Sequence, residues 1–259
     1  MTTQSKPLFP EGGALVAGGS GGIGSVICKV LAQGGANVFL TYRRSREKAE
    51  AAADLVRAAG RRAEIAQVEL EDTELVAQCV AAAVEAFGNL HTVVYAAGPY
   101  VPQIHMSRIP PADVKAYLLN DSLACYNLIY AALPFVREVK GSFIALTTAA
   151  MTRWSPKDAL SVIPKAAVEA MVRGVAREEG RFGVRANVVE VGWIKAGQHH
   201  AGIERGEVDQ AWMQAAERNI ALRRIGEAEE IANAVVFLAS SRAAYVTGES
   251  IRVDGGFAL

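Results

Sequence analysis

Apolar runs about one strand long alternate along the chain with segments in which apolar residues recur every three or four positions. Runs at 14–18, 37–41, 62–68, 91–96, 142–147, 185–190 and 249–253 predict seven strands. Most are apolar on both faces, as strands covered by helices on two sides require. Helical periodicity marks 22–33, 46–59, 73–87, 112–136, 158–181 and 227–240 between them. Strand and helix in alternation predict repeated βαβ units, hence an α/β chain with a doubly wound parallel sheet of Rossmann type. Residues 192–222 carry the weakest pattern and are read as a lobe over a substrate site. No repeat or linker interrupts the series, so residues 1–259 are read as one domain.

Composition narrows the partners. Lys plus Arg balances Asp plus Glu at 27 each, which gives no electrostatic drive toward nucleic acid or an anionic membrane. The apolar runs are too short to span a bilayer, and residues 1–7 show no leader pattern. Cys28, Cys79 and Cys125 are widely spaced and read as buried thiols of a cytoplasmic protein. No His, Cys or Asp cluster has metal-ligand spacing, so no metal is expected.

The first strand runs into Ala17-Gly18-Gly19-Ser20-Gly21-Gly22-Ile23-Gly24, where a helix opens. Glycines there let the backbone turn tightly and approach a pyrophosphate seated on the helix N-terminus. Gly18, Ser20, Gly22, Ile23 and Gly24 are therefore candidate dinucleotide contacts. A carboxylate about 20 residues past the glycines would select NAD by its ribose hydroxyls. Here the second strand ends Tyr42-Arg43-Arg44, and two guanidiniums suit a 2′-phosphate. NADP(H) is the expected cofactor.

With those residues in place the chain resembles the short-chain dehydrogenase/reductase family over nearly its whole length. Ala96-Ala97-Gly98 follows the fourth strand as the family's Asn-Asn-Ala-Gly does, and Lys165 opens a helix like that of its Tyr-x-x-x-Lys motif. Arg185–Val189 before Gly192, and Thr247-Gly248 with Val253-Asp254-Gly255-Gly256, resemble the later signatures. The resemblance implies strand order 3-2-1-4-5-6-7. It also implies a homotetramer or homodimer built on the helices over 112–136 and 158–181. It adds Glu69, Leu70, Ala96, Ala97, Gly98, Lys165, Gly192 and Ile194 as cofactor contacts. Catalytic places fall on Lys165, on Ser161 where the family has its Tyr, on Thr148 for its Ser, and on Asp121 for its helix Asn. A one-residue slip would put Asn120 in that last place. Tyr95, Val191 and Ala196 are further departures, and Glu69 stands where the family has an adenine-contacting Asp.

A phenol, with a pKa of about 10, is brought toward neutrality by a nearby Lys⁺, whereas an aliphatic hydroxyl is not. Loss of a general acid removes about 10²–10⁴ in rate. One expectation is thus an NADP(H)-dependent reductase acting on a conjugated C=C or iminium of a small to medium apolar substrate. The 2,4-dienoyl-CoA reductases of the family resemble this pattern in Thr147-Thr148 and Ser161-x-x-x-Lys165, although their replacement Tyr position is Ala150 here. A second is a carbonyl reductase with a substituted acid from Tyr100, Asp158, His199 or His200. A third is a non-redox NADP-binding protein, a cyclase, an isomerase or an inactive partner subunit. Trp154, Trp193 and Trp212, with Met106, Met151 and Met213, are candidates for an apolar substrate mouth.

Overall fold

The computed structural model describes residues 7–259; residues 1–6, which carry most of the segment read above for a leader, lie outside it. Seven strands form one parallel sheet: β1 (Gly13–Ala17), β2 (Asn37–Tyr42), β3 (Ala63–Gln67), β4 (Leu90–Tyr95), β5 (Ser142–Thr148), β6 (Arg185–Val191) and β7 (Ser250–Val253). Their order is β3-β2-β1-β4-β5-β6-β7, as the resemblance implied. The direction of winding reverses between β1 and β4, and a crevice opens beyond the C-terminal ends of such strands.

The pleat explains the continuous apolar runs. In β1, Ala14 and Val16 face one core, with α1 (Gly22–Gln33), α2 (Arg46–Ala58) and α9 (Ala228–Ala239). Leu15 and Ala17 face the other, with α3 (Thr73–Phe87), α5 (Ala124–Glu138) and α6 (Ala159–Glu179). A strand buried on both sides has no polar alternate positions to reveal its period.

Two stretches depart from the sequence expectation. The helix expected over 112–136 is α4 (Pro111–Tyr117) and α5 joined by a π-helical turn, Leu118–Leu123. That wider turn directs Asp121 and Ser122 inward, where Ser122 Oγ donates to the Pro164 carbonyl of α6 (3.0 Å). The weakly patterned 192–222 contains α7 (Gln198–Glu204) and α8 (Gln210–Asn219). Both are short, and α8 is held from one side by a small core of Ala149, Ala216, Ile220, Ile225 and Phe257 against Trp193 and Trp212. So few buried positions leave little periodicity to read. Cys28, Cys79 and Cys125 are buried free thiols, and burial raises all three, Cys79 to about 12.

No helix among the described residues is long and apolar enough to cross a membrane. No group of three or more His, Cys, Asp or Glu among them stands ready to hold a metal ion.

Candidate active site

A cleft lies beyond the C-terminal ends of β1, β4, β5 and β6 and encloses about 460 Å³, within the range of small-molecule sites. Gly22, Ile23 and Gly24 line it at one end. Ala96, Ala97, Gly98, Thr148, Ser161, Lys165, Gly192 and Ile194 line its middle, so these expected residues do converge.

The glycine loop is built to approach a ligand. Gly18 has a left-handed φ of 79°, and a side-chain carbon there would stand 2.8 Å from Ala97 Cα. At Gly24 such a carbon would fall 2.2 Å from the Gly18 carbonyl oxygen. Gly21 caps α1 without any side-chain bond and no acid occupies the first turn, which leaves the helix's leading N–H groups open to an anion. Gly18 N–H donates to Thr41 Oγ1 (3.1 Å) and Ser20 N–H to the Thr41 carbonyl (3.4 Å), tying the loop to the end of β2. A phosphate-bearing dinucleotide fits that cradle.

At the end of β2 the two arginines differ. Arg43 Nε pairs with Glu69 (2.6 Å), its Nη2 lies 3.6 Å from Glu71, and its Nη1 donates to Asn120 Oδ1 (3.0 Å). Arg44 is exposed and makes no ion pair among the described residues. Glu69, expected against adenine, is thus engaged by Arg43. Tyr42 is buried in the core, and Leu70 packs against the α3–α5 core while its carbonyl accepts from Asn127 (3.0 Å).

The lysine end is an ion pair. Lys165 Nζ donates to Asp121 Oδ1 (2.9 Å) and to the Ala97 carbonyl (3.1 Å), and it sits 5.0 Å from the Tyr95 ring centroid. Tyr95 Oη lies 2.9 Å from the Asp121 carbonyl and 3.0 Å from Asp121 Oδ1, so that buried phenol is spent holding the acid. Burial, then the Asp121 charge, raises Tyr95 well above the ordinary phenol range. An ammonium has three protons, and the third is left for the cleft. Gly98 leaves room there: a side-chain carbon at that position would lie 3.7 Å from Nζ. Asp121, not Asn120, therefore faces the lysine, and the one-residue slip is excluded because Asn120 turns outward to Arg43 and to the Ala116 carbonyl (2.9 Å).

Thr148 ends β5, and its Oγ1 accepts from Ala150 N–H (3.2 Å), so its own proton is free to donate. Ser161 stands one helical turn before Lys165, half-buried in the cleft wall. Among the cleft-lining residues the one phenol is Tyr100, whose Oη donates to Glu207 (2.5 Å); burial, then that bond, pushes it up to about 12. The loop after β4 is clasped to α7 by further bonds, Val101 N–H to Gln198 Oε1 (3.0 Å) and Gln198 Nε2 to the Pro99 carbonyl (2.9 Å).

Aromatic rings wall the far side. Trp193 stacks on Trp212 (4.5 Å between centroids) and on Phe257 (5.7 Å), and all three line the cleft. His199 lines it too, with a pKa lowered first by burial and then by His200. Trp154 and Met106, expected at the mouth, are exposed and stand outside the lining, as do Met151 and Met213, the latter packed against the core of Ala149, Ala216, Ile220, Ile225 and Phe257.

The turn before α6 is strained. Asp158 N–H donates to the Ser155 carbonyl (3.2 Å) with Pro156 second and Lys157 third at a φ of 73°, the pattern of a type II turn whose third residue is ordinarily Gly. Lys157→Gly should raise stability by about 0.5–1 kcal/mol, the left-handed penalty outweighing the entropy of a freer unfolded chain. Urea unfolding of the two proteins checks it.

A central sheet with this switch point, a glycine-rich loop and a lysine in the cleft define a nucleotide-dependent oxidoreductase of the short-chain type, and comparison with known proteins agrees. The family model described as enoyl-(acyl carrier protein) reductase matches residues 17–258. The 3-oxoacyl-[acyl-carrier-protein] reductase FabG of Staphylococcus epidermidis is 32% identical over 244 residues, spanning 94% of this chain and 97% of that one. A short-chain dehydrogenase/reductase from Serratia marcescens superposes with a TM-score of 0.88 at 29% identity, covering 98% of this chain and all of the other. A short-chain dehydrogenase from Burkholderia cenocepacia, solved in complex with NADP, superposes at 0.87 with 30% identity, covering 96% and 98%. The chain belongs to the short-chain dehydrogenase/reductase family and is an oxidoreductase.

Proposed function

We propose that this enzyme is an NADP(H)-dependent reductase that delivers hydride to a conjugated C=C, an iminium or an activated carbonyl of a small to medium apolar molecule. The observation that carries the reading is a lysine ammonium flanked, where the family keeps its catalytic hydroxyls, by the aliphatic Ser161 and Thr148 with no free phenol in the cleft. Ser161 and Thr148 line the space beside Lys165, while Tyr95 is committed to Asp121 and Tyr100 to Glu207. Phenol catalysis of simple ketone reduction has no free phenol to use. Acceptors whose charge is delocalised as hydride arrives need the weakest acid.

Gly18, Ser20, Gly22, Ile23 and Gly24 would hold the pyrophosphate, and Arg44 with Arg43 the 2′-phosphate. Ala96, Ala97, Gly98, Gly192 and Ile194 would flank the nicotinamide half. The bound dinucleotide supplies hydride; the chain supplies orientation. The remaining proton of Lys165 would reach the nicotinamide ribose, Asp121 would hold the ammonium in place, and the Thr148 hydroxyl would donate to the substrate oxygen. The Trp193, Trp212 and Phe257 wall, with residues 192–222 folded over it, favours an apolar, planar acceptor. Tyr126 and Tyr130 on α5, with Leu123 at the end of the turn before it, are exposed and support self-association into a homodimer or homotetramer through this helix. Three unpaired thiols support a reducing, cytoplasmic setting.

The test compares NADPH oxidation with cyclohex-2-enone and with cyclohexanone, before and after Ser161→Tyr. The natural protein should favour the enone, and the variant should gain cyclohexanone reduction by about 10²-fold or more. Ready reduction of cyclohexanone by the natural protein would sink the reading.

A further inference from the structure

One carboxyl in the cleft is left without employment by the reading above. Asp158 occupies the cap position of α6, where an aspartate ordinarily accepts from backbone N–H groups of the first helical turn. It makes no such bond, although its backbone carbonyl receives Ser161 N–H (3.0 Å) and Val162 N–H (3.0 Å). The side chain instead lines the cleft with Gln103, Ser155 and Ser161. The turn that presents it is anchored from across the cleft, because Ile104 N–H, in the loop after β4, donates to the Lys157 carbonyl (3.2 Å). Its third residue holds a left-handed φ without being glycine. Backbone strain of this kind clusters at functional sites.

We infer that the Asp158 carboxylic acid is the proton donor of the reaction, directly or through the Ser161 hydroxyl one helical turn away. The assignment rests on the reductase reading. When hydride from bound NADPH forms the new C–H bond at the electrophilic carbon, the π pair moves onto the conjugated oxygen. The Asp158 O–H bond then breaks and an O–H bond forms on the substrate. The cofactor is oxidised, the substrate is reduced by two electrons, and the Asp158 carboxylate regains its proton from water. Ser161, in the first turn of α6 and in the same cleft lining, is the hydroxyl available to pass that proton.

The electrostatics suit the task. Burial pushes Asp158 up to about 7, against the opposing pull of the Gln103 amide. The other ionisable groups lining the cleft are Tyr100, Lys165, His199 and Glu207. Lys165 is held by Asp121 and Glu207 by Tyr100, and His199 is shifted toward its neutral form. An acid with a pKa near the working pH is the efficient donor.

Two measurements test this with Asp158→Asn. The first needs neither cofactor nor substrate. The native carboxyl keeps a proton that the unfolded one loses from about pH 4 upward. Between there and about pH 7 the folded state therefore binds more protons, and its stability falls as pH rises. The urea midpoint of the natural protein should decline from pH 5 to pH 8 relative to that of the variant. The second is the pH profile of cyclohex-2-enone reduction by NADPH. The natural rate should fall above about pH 7, and the variant should lose about 10²-fold or more of kcat together with that inflection. Parallel midpoints, or a variant rate within about threefold with the inflection intact, would overturn the assignment and leave the reductase reading standing. Absence of NADPH oxidation by the natural protein would overturn both.

Discussion

Lys165→Met should lower the free energy of unfolding by about 3–5 kcal/mol as well as abolish turnover, because it strands Asp121. That carboxylate is almost wholly buried, with 4% of its side chain exposed, and its charge is met by Lys165 alone. Tyr95 contributes a hydrogen bond but no positive charge. A buried pair stabilises little against an apolar replacement of both partners, yet losing one partner leaves the other's desolvation uncompensated. The double variant Lys165→Met/Asp121→Asn should consequently recover a large part of the lost stability while remaining inactive. Urea unfolding of the four proteins of this cycle gives the coupling, expected at about 1–3 kcal/mol. A lysine variant as stable as the parent would mean that the pair adds nothing to the stability of the fold.

Arg44→Ala should weaken NADPH binding by about 10–100-fold and leave NADH binding nearly unchanged. A charge-assisted bond to phosphate is worth about 1.5–3 kcal/mol, and every 1.4 kcal/mol is tenfold. Arg43→Ala should cost less, since Glu69 and Glu71 already balance that guanidinium and would have to release it. The two carboxylates also stand close to any 2′-phosphate that Arg43 binds, and their repulsion sets a limit on affinity. Glu69→Gln should therefore tighten NADPH binding. Intrinsic tryptophan fluorescence, titrated with each dinucleotide, reads all three. Tighter binding of NADH than of NADPH by the natural protein would reverse the cofactor assignment.

The sheet was legible in the sequence because strands buried on both faces announce themselves as apolar runs and glycines mark the first crossover. The cleft residues followed from the glycine loop, the residues after β4 and the lysine of α6. What could not be read depends on contacts between distant segments. Arg43 meets carboxylates that lie in the connection after β3, and no local pattern couples them. Whether Asp121 or Asn120 turns inward depends on the π-helical turn, which a period of 3.6 cannot show. α7 and α8 escaped because their burial comes from a few aromatic rings rather than a repeating stripe. Asp158 is visible in the sequence only as one of four candidate acids, at the start of the segment that forms α6. Only the geometry shows that it caps nothing.

The wide turn between α4 and α5 also sets the phase of everything after it. A helix advances roughly 100° per residue, so one residue fewer in 118–123 would rotate the whole downstream cylinder by that angle. Leu128, Ala132 and Val136 would swing off the sheet, and Asn127 would lose the carbonyls of Leu70 and Glu71. The same spare residue that swings Asp121 inward against Lys165 thus keeps the following fifteen in register with the sheet. Removing it would misplace a supporting wall along with a single carboxylate, which makes this segment a poor place for a deletion even though it forms no part of the cleft surface.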